Sequence, residues 1–226
     1  MNNPWTELMN LKSSQKEYFL KIDEELIKHF NEKHPLENCF HIYTNRIPVP
    51  FVGDINAPIV LLNLNPGYVP SDETTHKTRN YTERAWKNLY QEKLDYPFYV
   101  LDPVLNETGG YRYWYDKLEN LLVLTSRKNV ARKLMCLEYF PYHSVKFGFN
   151  GQLKSQEYNF QLVEKSMREG KLIVVMRSKR LWYKAVPSLE QYPNKFCIRS
   201  PQNPKLTVNN CLTENYEKII NLLDIA

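Results

Sequence analysis

The sequence predicts an α/β fold, a three-layer α/β/α sandwich around a four-stranded parallel sheet. Three observations carry this. Four short apolar runs, 58–64, 133–140, 171–176 and 195–199, are bounded by turn residues. Short runs rich in Val, Ile and Leu read as strands buried on both faces, which belong to parallel sheets covered by helices. Between them lie segments whose apolar residues repeat at helical spacing, the alternation expected of βαβ units.

In chain order, Ser14 followed by Glu17 is a capping-box pattern, and Phe19, Ile22, Leu26 and Phe30 then repeat at helical spacing. That helix ends before Pro35. Residues 36–57, with Pro48 and Pro50, read as an extended arm. Positions 1 to about 50 are thus an N-terminal helical extension of a single domain spanning 1–226. The run 58–64 closes on Asn65-Pro66-Gly67. Pro66 keeps Asn65 out of the helical region, and Gly67 permits a turn or a close ligand approach. A polar loop, 69–80, precedes a helix over 81–94. Residues 95–110 are irregular as far as the Gly109-Gly110 break. An aromatic-rich helix follows over 111–122, with a short one over 126–131.

After the second strand, a helix over 156–168 stops at Gly170, a C-cap. Ser178 caps a helix reaching Val186, and Thr213 caps a closing helix with an apolar stripe of Tyr216, Ile219, Ile220 and Leu223.

Composition bounds the function. Charged residues at 24% and apolar ones at 42% are ordinary for a folded domain, whereas 13% aromatics is high. The net charge of +5 permits nucleic-acid binding without demanding it. Cys39, Cys136, Cys197 and Cys211 show no CxxC spacing, and Cys136 and Cys197, inside expected strands, read as buried thiols in a reducing compartment. No metal and no cofactor are expected. No basic-then-apolar leader opens the chain, and no apolar run approaches the ~20 residues of a membrane span. The expectation is a cytoplasmic monomer with no membrane contact.

If the strands are parallel, their C-terminal loops share one edge, where ligands gather in open α/β sheets. That edge collects Asn65 to Tyr68, Glu138 to Ser144, Arg177 to Arg180 and Ser200 to Lys205. An aromatic-walled pocket with an amide and a carboxylate suits a planar heterocycle, and the basic residues beside it suit phosphate. Each piece also has a bland meaning. Glu138 reads equally as a surface carboxylate, His143 as structural, Arg177, Lys179 and Arg180 as a solvated face, and 111–115 as core and rim of a helix. Their combination on one edge favours function.

Here two Pro-bounded loops become recognisable. Leu61-Leu62-Asn63-Leu64-Asn65-Pro66-Gly67 resembles the first motif of the uracil-DNA glycosylase superfamily in its G-x-N-P-G variant. This variant is found in the mismatch-specific and the single-strand-selective monofunctional enzymes. Ser200-Pro201-Gln202-Asn203-Pro204, about 135 residues later, resembles the second motif. The resemblance covers 50–223 and implies hydrolysis of the N-glycosidic bond of a flipped base in DNA, as in DNA repair. It implies that Asn65 orients the attacking water, that Tyr68 or Phe140 stacks on the base, and that Gly67 admits it. Ser200 and Asn203, with the loop to Lys205, would grip the backbone, alongside Arg177, Lys179 and Arg180 as DNA contacts.

Two departures matter. Ile198 stands where the family has its motif histidine, and Arg199 where the following proline stands, so His143 or Arg199 would have to supply the lost donor. Glu138 replaces the base-reading asparagine. An ionised carboxylate only accepts hydrogen bonds, whereas an amide also donates, so the base need not be uracil. The expectation is a hydrolase acting on a damaged, modified or deaminated base. A non-catalytic nucleic-acid- or protein-binding module on the same fold is the alternative, and hydrolysis of a free nucleoside or nucleotide is a third.

Overall fold

The computed structural model describes residues 2–10, 17–69 and 72–224. The helices are α1 (Glu24–Lys33), α2 (Asp72–Thr75), α3 (Arg79–Leu89), α4 (Gly109–Leu124), α5 (Arg127–Lys133), α6 (Gln156–Arg168), α7 (Lys179–Ala185), α8 (Val208–Cys211) and α9 (Thr213–Leu222). The strands are β1 (Phe51–Gly53), β2 (Ile59–Asn63), β3 (Leu134–Glu138), β4 (Leu172–Val175) and β5 (Lys195–Cys197). The fold is α/β. No described helix is long and apolar enough to cross a membrane.

The sheet is five-stranded and mixed, in the order β1-β3-β2-β4-β5. This corrects the expected four-stranded, all-parallel sheet. The four apolar runs pair in parallel, but β1 joins β3 antiparallel at the edge. The extra strand lies inside the Pro-rich arm, where Pro50 ends its reach and Gly53 takes a φ of 110°. Its outer edge is covered by the buried Asn88 of α3. That side chain accepts from Gly53 N at 2.9 Å and donates to Phe51 O at 2.8 Å, so the exposed edge of the sheet is closed.

The central strands β2 and β3 are fully buried along their length, as their unbroken apolar runs require. Their register sets Asn63 directly beside Glu138 at the C-terminal end. Asn159 of α6 ties the two neighbouring chain segments together there, donating to Pro50 O at 2.6 Å and to Glu138 O at 2.7 Å.

The N-terminal segment packs into the main core. Trp5, Leu20, Ile27 and Ile42 are buried in the same apolar cluster as the strands. The buried Tyr142 hydroxyl donates to Asp23 at 2.9 Å and accepts from Leu20 N at 3.2 Å. Ser155 N donates to the same carboxyl at 3.2 Å, and burial pushes the Asp23 carboxyl above its ordinary range. Ser14 of the expected capping box lies outside the described residues.

Four helix starts differ from expectation. α1 begins only at Glu24, so Phe19 of the expected helical stripe lies in the non-helical stretch before it. Gly109 and Gly110 begin α4 because Thr108 caps it, accepting from Tyr111 N at 3.1 Å. Ser178 precedes α7 in a left-handed conformation without a capping bond, and Thr213 is the first residue of α9 rather than its cap. Ser126 does cap α5, and Gly170 ends α6 with φ 71°.

Candidate active site

The C-terminal ends of β2, β3 and β4 open into a cavity of about 360 Å³. This is the size of a small-molecule site. Its apolar walls come from Val49, Val52, Tyr68, Tyr81, Tyr99 and Trp114, and its polar side chains include Asn63, Asn65, Tyr113, Glu138, His143 and Arg177. A second concavity, about 400 Å³, lies by Gly53 and Asn88 near the N-terminal end of β2. There Asn88 and Gln91 are bonded to the backbone of Phe51, Gly53 and Ile55, leaving no buried side-chain polar atom unpartnered.

Asn65 stands at the cavity wall because Pro66 and the end of β2 hold its backbone. Its amide nitrogen donates to Ser144 Oγ at 3.0 Å and to Pro66 O at 3.1 Å, which fixes the orientation of the amide. Tyr68 lines the cavity with its ring stacked on Tyr43, centroids 3.7 Å apart, and the Arg46 guanidinium lies 5.6 Å from that ring. Gly67 lines it too, without a left-handed φ.

Glu138 is the most perturbed acid of the site. It is 4% exposed, and its Oε1 accepts from Asn63 Nδ2 at 3.1 Å with Cys136 Sγ at 3.9 Å. Its Oε2 is buried and has no partner, as are Asn63 Oδ1 and Arg177 Nε. Burial raises the Glu138 carboxyl to about 8, partly offset by the Asn63 hydrogen bond, the nearby Arg177 charge and Cys136. Burial likewise pushes the neighbouring Tyr113 hydroxyl up to about 12.

His143 lies in the wall with Nδ1 at 2.9 Å from Gly67 O and Nε2 at 3.1 Å from Ile47 O. Burial lowers its pKa, so the ring is neutral and donates through one nitrogen only. Both nitrogens face backbone carbonyls, the single N–H bonds to one of them, and none is left free for a ligand. His76 packs edge-on against it at 5.1 Å, and burial lowers the His76 pKa to about 3. Its Nδ1 has no hydrogen-bond partner among the described residues.

The other expected site residues divide. Phe140 is 1% exposed and packs among Tyr142, Phe147 and Phe149, so it is core rather than a base-stacking surface. Ser200 and Asn203 are exposed on a loop that does not line the cavity. Lys179 and Arg180 are exposed, but Arg177 points into the cavity and reaches the second loop only through Gln202 O at 3.4 Å. Lys205 pairs with Asp116 at 2.5 Å, so a single rim of four free cations does not form.

Sequence reasoning missed Asn63, Tyr113, Trp114 and His76. Asn63 was legible as the polar residue interrupting the apolar run two positions before Asn65. Tyr113 and Trp114 lay in a segment that read as helix core. No described group of three or more His, Cys, Asp or Glu is arranged to hold a metal ion.

Comparison with family models, curated proteins and solved structures finds no match for this chain.

Proposed function

We propose that this chain is a monofunctional, DNA glycosylase-like hydrolase that takes a damaged, modified or deaminated base into the cavity beside Asn65. What carries the proposal is the cavity itself: aromatic walls at the C-terminal edge of parallel strands, an oriented amide at the wall, and unpartnered polar atoms among its lining. Base hydrolysis requires a base extracted from the stack, a positioned water and stabilisation of charge on the departing base. Asn65 would hold the water. Arg177, the only Lys or Arg among the described lining residues, would face the developing negative charge. Tyr68, whose side chain lines the cavity, would meet the base. The parallel strands β3, β2, β4 and β5 with their helices would correspond to the glycosylase-type sandwich. Lys179 and Arg180, both exposed, would contact the DNA backbone, the chain acting as a cytoplasmic monomer.

One observation favours the alternative of a non-catalytic binding module. His143, offered as the substitute for the motif histidine, has both ring nitrogens at backbone carbonyls. Release of free base from a panel of oligonucleotides, each carrying one modified base, separates the two. Release from at least one supports the hydrolase. Binding without release from any member supports the module.

A further inference from the structure

Four buried polar atoms without partners, His76 Nδ1, Asn63 Oδ1, Glu138 Oε2 and Arg177 Nε, belong to side chains that line one cavity, the last three at the strand ends. Leaving such groups unpaired is costly, so their concentration in one cavity marks where a ligand's hydrogen bonds go. Asn63 and Glu138 are each only 4% exposed. Their orientations are set. Asn63 Nδ2 donates to Glu138 Oε1, which leaves Oδ1 as a pure acceptor. Arg177 Nε can only donate.

The protonation of Glu138 follows from its surroundings. Asn63 comes from β2, Cys136 from its own strand, Tyr113 from α4 and Arg177 from the end of β4. No ion pair to Glu138 forms among the described residues, and a buried carboxylate without one is costly. Oε1 already faces two donors, so a proton on the carboxyl belongs on Oε2. The pKa of about 8 agrees. Tyr113, held near 12, and Cys136, held well above its ordinary range, stay protonated alongside it.

In strand order Asn63 stands between Glu138 and Arg177. The lining therefore offers donor, acceptor and donor. Resting on the reading that the cavity takes a base, we propose that Asn63, Glu138 and Arg177 form a base-reading floor for a cyclic lactam or imide edge. Such an edge places an N–H beside one or two carbonyl oxygens. The ring N–H donates to Asn63, while Glu138 as the neutral acid and Arg177 donate to the carbonyls. An ionised Glu138 would instead put two acceptors side by side and select a ring edge with two donors. Arg177 is thus a specificity residue rather than a backbone contact.

The test needs no cleavage. Binding of 1-methyluracil and 1,3-dimethyluracil to the whole protein is measured by calorimetry. The first keeps the ring N–H between two carbonyls, the second lacks it, and neither can be hydrolysed as a glycoside. The monomethyl ring is expected to bind about tenfold tighter or more. Its affinity should fall severalfold between about pH 6.5 and about pH 9 in the parent but not in Glu138→Gln, whose amide keeps a donor. The ligand's own titration is common to both proteins. Arg177→Met should narrow the preference. Equal binding of the two rings, no binding of the monomethyl ring, or the same pH response in both proteins overturns the floor. Discrimination without base release from the oligonucleotide panel would sink the hydrolase and leave the floor standing. Release without discrimination would do the reverse.

Discussion

The loops that begin at Asn65 and at Ser200 leave the same edge of the sheet, yet their polar groups are used in opposite ways. Around the first, Asn63, Glu138 and Arg177 keep buried polar atoms unpartnered, facing a cavity. The second is tied together by its own hydrogen bonds. Asn210 accepts from Ser200 N at 2.7 Å and donates to Asn203 O at 3.2 Å and Lys205 O at 2.8 Å. Asn203 Oδ1 accepts from Lys117 at 3.0 Å, and Lys205 is paired with Asp116. Two strand-end motifs of similar composition therefore differ in role. One leaves buried hydrogen-bonding capacity unused by the chain, and the other uses it to hold its own shape.

The largest effect that would break this contrast concerns Glu138. Its folded pKa, about 8, lies above the ordinary 4.5, so folding favours the neutral acid. The stability this contributes is present below pH 4.5 and is lost as pH rises towards 8. Glu138→Gln cannot ionise. It should therefore gain on the parent across that window, at roughly 1.4 kcal/mol per pH unit, and the gap should level off above it. Urea unfolding of both proteins at several pH values reads this directly. A gap that does not move with pH would mean that Glu138 is compensated as a carboxylate, and the cavity would lose its distinguishing group.

Next comes a paired comparison of asparagines. Asn210→Ala strips three backbone groups of their partner and should cost about 1–3 kcal/mol of stability. Asn65→Ala should cost little stability. On a substrate that the protein cleaves, it should lower the single-turnover rate by about tenfold or more, near 1.4 kcal/mol, with DNA affinity unchanged. Similar stability losses in both, with no change of rate, would make the first loop as structural as the second.

A smaller effect separates the cations. Replacing Lys179 and Arg180 together by Glu should weaken DNA binding and flatten its salt dependence, by about 0.9 in the logarithmic slope for each phosphate no longer neutralised. Lys205→Glu should change it less, because Asp116 already neutralises that ammonium. Equal effects, read from binding isotherms at several salt concentrations, would return Lys205 to the DNA-facing set.

The four parallel strands and the position of Asn65 were legible because apolar runs bounded by Pro, Gly and Asn encode buried strands locally. The fifth strand was not. Three residues in a Pro-rich arm become β1 only because β3 offers an edge and Asn88 closes the other side. Phe140 and Tyr113 exchanged roles for a related reason. Strand end and helix face do not say which side of each element meets the core. Nor can sequence show that Asp116 sits beside Lys205, since that pairing joins α4 to a loop distant in the chain.

The finest distinction is between two glycines. Gly53 has φ 110°, and a Cβ there would run into the Leu134 carbonyl oxygen, so Gly53→Ala should destabilise β1 and its pairing with β3. Gly67 differs on both counts. Its φ is not left-handed, and an added Cβ meets nothing within 4 Å, so neither turn geometry nor packing requires glycine there. What remains is the space itself, which belongs to the cavity lining beside Asn65. Gly67→Ala should leave the unfolding free energy within about 0.5 kcal/mol of the parent, as for a neutral surface change. It should nonetheless weaken binding of a ring in the cavity, because the methyl group occupies volume the ligand needs. Unfolding curves and ring-binding isotherms on the same variant decide the matter. Unchanged affinity would place the ligand away from Gly67, deeper among Tyr113, Glu138 and Arg177. Lost stability would mean that the loop, like the one after Ser200, is held by its own packing.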